Sequence, residues 1–189
     1  MKRHITAIGF AGLALLAGLS GCGYSTESSL DPQYQSIFVP AFKNMSREYD
    51  LQAPLTNAVI RKFIADGRLH VTDEQDADLI LEGVILGYNL KGFTYDEDDE
   101  VTNYLVEVSA GARLIDRKTG NTLWVEPRIS GNTSYYTRAS GQSSDRLRGN
   151  ADTFVPTVRS FSTEEENRSA SEALERLASA IFYRTVEPW

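Results

Sequence analysis

Apolar and polar positions alternate with period two from Val101 to Asp116. Tyr104, Val106, Val108, Ala110, Ala112 and Leu114 fall on one face, and Glu107, Ser109 and Arg113 on the other, with Leu105 and Ile115 near the ends. This pattern predicts a long strand in a sheet with one buried face. Leu79 to Tyr88 predicts a second apolar strand, with Gly83 and Gly87 as bend positions. Tyr34 to Phe42 is rich in β-branched and aromatic residues and predicts a strand that Pro40 ends or places at an edge. Leu69 to Thr72 predicts a short one. Thr122 to Val125 and Ile129 to Thr137 predict a further strand, with Pro127 as the point of interruption.

Helical spacing appears twice. Leu55, Val59 and Phe63 recur every four residues, beside Ala58 and Ile60, and predict a helix over 51–65. Pro54 suits its first turn, and Gly67 supplies the stop. From Ser162 or Thr163, both good caps, Glu164, Glu165 and Glu166 lead into a stripe of Ala170, Ala173, Leu174, Leu177, Ala178, Ile181 and Phe182. Glu172, Glu175 and Arg176 stay outside it, and the helix ends near Val186, before Pro188. Residues 138–162 carry no persistent period and read as one long loop. Two helical stripes need apolar cover, and the sheet has one apolar face. The expected fold is therefore α/β (α+β): a two-layer sandwich, one mixed or antiparallel sheet of about four strands on two helices, in the order β-α-β-β-β-α. Residues 34–189 make a single domain.

The amino terminus follows a different logic. Lys2 and Arg3 precede an uncharged run from Ile5 to Leu19, and Ser20 and Gly21 then precede Cys22. Charge, apolar run and small residues in this order predict an export signal over 1–21. The run is shorter than the roughly 20 apolar residues of a spanning helix. Cys22 stands in the register of a lipidated cysteine, and the bland alternative is an ordinary cleaved signal with a chance cysteine. Residues 22–33 then form a polar tether. Gly23, where an Asp would resemble an inner-membrane retention signal, favours the outer membrane.

Composition narrows the chemistry. The chain has 19 Lys+Arg, 26 Asp+Glu and a net charge of −7, a poor basis for binding nucleic acid. Its only cysteine is assigned to lipid, so no disulfide is expected. Once His4 leaves with the signal, His70 stands alone. It reads as an ordinary edge residue, and neither a zinc spacing nor a nucleophilic triad can be assembled. No phosphate-cradling or dinucleotide glycine motif occurs, and no cofactor is expected. Asp96-Glu97-Asp98-Asp99-Glu100 reads as a solvated hairpin loop rather than a calcium loop, which needs a turn glycine. Arg117 and Lys118 lie in a turn-forming stretch, DRKTGN, and either meet phosphate or only keep the turn soluble. Trp124 reads as core, and Tyr135 and Tyr136 point to opposite faces of their strand.

An ordered series of residues resembles the lipopolysaccharide-assembly lipoprotein (LptE-like) family. It runs through Gly21-Cys22-Gly23-Tyr24, Val39-Pro40 with Phe42 and Asn44, and Leu55-Thr56-Asn57-Ala58. It continues with Asp66-Gly67-Arg68-Leu69, Ala77-Asp78 and Leu81-Glu82-Gly83. Tyr104, Val108, Asp116, Thr119-Gly120 and Leu123-Trp124 complete it. The resemblance implies a non-enzymatic sandwich domain at the outer membrane, facing the periplasm or seated in the lumen of a large LptD-like β-barrel. It implies a role in moving lipopolysaccharide (LPS) outward. Arg117, Lys118, Arg138, Arg146 and Arg148 are then candidate contacts to lipid A phosphates. The acidic 96–100 run departs from a basic LPS contact, and the 138–162 loop aligns with nothing recognisable. Two other readings stand beside this one: a lipoprotein binding module of another envelope system, such as secretin assembly or lipid transport, and a surface hydrolase working with two carboxylates.

Overall fold

The computed structural model describes residues 30–95, 97, 101–136 and 164–187. Its elements are β1 (Ser36–Phe38), β2 (Lys43–Asn44), α1 (Gln52–Asp66), β3 (His70–Val71), β4 (Leu79–Tyr95), β5 (Val101–Asp116), β6 (Thr122–Tyr136) and α2 (Glu164–Val186). The sheet order is β3-β1-β4-β5-β6, with β2 also beside β4. The β1–β3, β1–β4 and β2–β4 pairs are parallel. β4–β5 and β5–β6 are antiparallel. The expected two-layer sandwich is the fold observed, with six strands where about four were expected. Of the two two-residue strands, β3 falls within the short strand expected over 69–72, and β2 is the one that left no trace in sequence.

Three strand boundaries differ from the expectation. The 34–42 strand shortens to β1, ending before Pro40, and β2 forms just past its expected end; the two run alongside β4 at Leu79–Ile80 and Val84–Ile85. β4 continues past Tyr88 to Tyr95 because β5 supplies a hydrogen-bonded neighbour along its whole length. β6 does not stop at Pro127. The pairing jumps from Ala110–Ile129 to Ala112–Glu126, which leaves Pro127 in a bulge on the outermost strand. There its missing N–H breaks no ladder bond.

The core lies between the sheet and the helices. On α1, Leu55, Ala58, Val59 and Phe63 are buried, and on α2, Ala173, Leu174, Leu177, Ala178, Ile181 and Phe182. The Phe63 and Phe182 rings meet edge to face at 5.2 Å and join the two helices. Val106, Val108, Ala110, Ala112 and Leu114 supply the floor from β5. The close fit has two glycine contacts at its centre. A Cβ on Gly83 would enter the Phe42 ring, and one on Gly131 would strike the Ala173 carbonyl and the Leu177 amide. Gly67 ends α1 at φ 77°, its amide donating to the Phe63 carbonyl.

Candidate functional surfaces

At one end of the sheet, where the chain enters at Tyr34, two carboxylates organise three loops. Asp78 accepts from the Ser36 hydroxyl at 2.9 Å, the Gln35 amide at 3.1 Å and the Lys118 ammonium at 2.7 Å. The Lys118 hydrogen bond first, then the Gln35 amide, hold its carboxyl well below the usual carboxylate range. Burial presses Asp116 the other way, but donors from Thr119 and Lys118 keep it low. Its Oδ1 accepts the Lys118 amide at 2.8 Å, and its Oδ2 the Tyr34 hydroxyl at 3.3 Å. The Arg117 Nε donates to the Ala77 carbonyl.

Arg117 and Lys118 therefore stand together on the β5–β6 turn, each already bonded to the Ala77–Asp78 segment. A phosphate arriving at Lys118 has to compete with Asp78. Arg138, Arg146 and Arg148 lie outside the described residues, as does Cys22. Of the 96–100 run only Glu97 is described, and the run joins an antiparallel pair, as a hairpin loop should. His70 is exposed on the outermost strand, β3. Trp124 is buried, with the Arg184 guanidinium 6.0 Å from its ring. Tyr135 is half-buried and stacks on Tyr104 at 5.6 Å, while Tyr136 on the other face is 75% exposed.

The second surface is the sheet face turned away from the helices. A groove of about 530 Å³ crosses it, between the Pro40–Met45 segment and the Val125–Pro127 bulge, over Val84 and Gly111. Met45, Leu86 and Val125 are exposed there. Arg113 donates to Glu82 at 2.7 Å in the same groove. Glu126 also lines it, with Arg184 3.8 Å away. A carboxylate hydrolase needs a carboxyl kept protonated by a raised pKa. Among the described residues the carboxylates whose pKa values move, Asp66, Asp78 and Asp116, lie outside this groove and all move down. Among the described residues no group of three or more metal-ligating side chains comes together, and no helix is long and apolar enough to cross a membrane.

Sequence reasoning missed this groove. Its signal was present as Leu86 and Val125, large apolar residues at outward positions, but the floor forms only when two bulges bend the strands around Gly111.

Several solved structures share the fold. The hypothetical protein CT253 from Chlamydia trachomatis is 11% identical, with a TM-score of 0.51 over 80% of this chain and 95% of that one. The uncharacterized lipoprotein B from Nitrosomonas europaea is 11% identical, with a TM-score of 0.51 over 81% and 83%. Protein XCC0632 from Xanthomonas campestris is 9% identical, with a TM-score of 0.50 over 82% and 88%. No curated protein matches the sequence. The family model described as LptE, lipopolysaccharide-assembly, matches residues 34–185, from the first residues before β1 to the last turn of α2. With that match spanning every strand and both helices, the chain belongs to the LptE lipopolysaccharide-assembly family.

Proposed function

We propose that this protein is an outer-membrane lipoprotein, held by acyl groups on Cys22, that plugs and stabilises a large LptD-type β-barrel and assists LPS assembly there. Family membership over 34–185 carries this reading. The lipobox-like Leu19-Ser20-Gly21-Cys22 stretch supports the anchor. One acyl chain holds a protein only marginally, at about 0.8 kcal/mol per buried methylene, whereas several chains on one cysteine make attachment durable. The structure supports a role by fitting rather than by reacting. Among the described residues, the sheet face turned from the helices offers a neighbour an apolar groove and paired charges, and the shifted carboxylates are stabilised in the ionised state. Arg117, Lys118, Arg138, Arg146 and Arg148 are the proposed contacts to lipid A phosphates, by charge-assisted hydrogen bonds.

Affinity purification of the full chain from membranes in mild detergent, with mass spectrometry of what accompanies it, tests the reading. A large barrel protein in stoichiometric amount is the expected result. Recovery of the chain free of any barrel partner overturns it.

A further inference from the structure

The groove on the outward sheet face has a floor of paired strands. Val84 and Gly111 are partners across the β4–β5 ladder, and Lys43 pairs with Val84 from the other side. At this point β4 has a strand on each flank, so the main-chain groups of the floor are spent on one another. Gly111 keeps the floor open toward the bulge, since a Cβ there would stand 3.0 Å from the Pro127 carbonyl oxygen. Around it Met45 is 74% exposed, Val125 58% and Leu86 41%. These large apolar side chains surround a space of about 530 Å³. A concave site of that size, mostly apolar with a few polar groups, falls in the range of small-molecule sites.

The charges of the groove do not cancel. Lys43, Glu82, Arg113 and Glu126 line it. Arg113 donates to Glu82 at 2.7 Å, and Glu126 has the Arg184 guanidinium 3.8 Å away. Lys43 is exposed, and among the described residues no carboxylate lies within ion-pair distance of it. One positive charge is therefore left over in the groove, on a chain whose net charge is −7.

These properties select the occupant. A peptide laid over the floor would find no ladder to join, and its amides would lose water without gaining partners. A hydrocarbon chain has no such groups to dehydrate and gains with each methylene covered. From β2 to β6 the floor spans three strand spacings, roughly 14 Å, the length of about ten methylenes in line. An anionic head on that chain answers Lys43 by a charge-assisted hydrogen bond.

We propose that this groove binds one long-chain carboxylate, a fatty acid, with its chain over Val84 and Gly111 and its head at Lys43. Such binding goes beyond the proposed function and requires neither a barrel nor LPS.

Photolabelling of the full chain in mild detergent tests it, with a diazirine-bearing palmitic acid as probe and the corresponding uncharged alcohol as control. Labelled residues are read by peptide mass spectrometry. Ile64 and Tyr183, exposed apolar residues of the helix layer, give the background from the micelle alone. The expected result is labelling of Met45, Leu86 and Val125 by the acid at about fivefold or more above that background, and less by the alcohol. Lys43→Glu should remove the advantage of the acid over the alcohol, and Leu86→Glu should bring both to background. Both positions are exposed, so neither change threatens the fold. Equal labelling of the two layers overturns the inference, as does an acid-to-alcohol ratio that Lys43→Glu leaves unchanged. Groove labelling that vanishes in the complex recovered from membranes also overturns it, and makes a protein partner the occupant.

Discussion

Asp78 gathers the Ser36 hydroxyl, the Gln35 amide and the Lys118 ammonium at the start of β4. Folding lowers its pKa, so the folded state gains wherever the unfolded carboxyl is ionised, above about pH 4, and the gain is lost as pH falls below that. Asp78→Asn is expected to lower stability by about 1–2 kcal/mol at pH 7. It should also flatten the acid limb, so that wild type and variant converge near pH 2 in urea melts. Lys118→Ala should change stability by less than about 0.5 kcal/mol, because the ammonium is largely exposed and its pairing is screened. Gly131→Ala is the harsher residue-scale change. Its methyl collides with the Ala173 carbonyl and Leu177 amide, both backbone, so α2 has to move away from β6. A loss of about 2–3 kcal/mol, read as a fall in Tm, is expected.

The helices were legible where side-chain period and stop signals agreed. α1 was expected over 51–65 and runs from Gln52 to Asp66, ending at Gly67 as foreseen. α2 buries the expected stripe, with Leu177 fully covered. Leu177→Ala is expected to cost about 3 kcal/mol by thermal melting, the transfer loss plus the cavity left between sheet and helix. β5 was read to its termini because one buried face imposes alternation on Val106, Val108, Ala110, Ala112 and Leu114, although Ser109, placed on the other face, is also buried. β4 and β6 were not. Beyond Tyr88, the stretch Asn89 to Tyr95 mixes Asn, Lys, Gly and Thr with apolar residues, and it is a strand only because β5 lies beside it. Pro127 looked like an end and is a bulge, because an outermost strand needs its amides on one side only.

On the scale of the whole molecule, the sheet outruns its helical cover among the described residues. α2 begins beside Tyr88, through the Glu166 hydrogen bond, while β4 continues seven residues further, about 23 Å at a strand's rise. The chain enters at the opposite end, where Tyr34 donates to Asp116. Cys22→Ala is expected to abolish labelling by radioactive palmitate and to release the protein from the membrane fraction, as followed by fractionation and blotting. The sequence by itself determined the two helices, the buried face of each and the long alternating strand. Those follow from side-chain periods that neighbouring residues enforce on one another. The tertiary structure alone decided which lanes β1 and β2 occupy. It alone also decided that Arg117 and Lys118 are tied to residues some forty positions away. Hydrogen-bond partners of that kind are chosen between segments distant in the chain, and no local pattern records the choice.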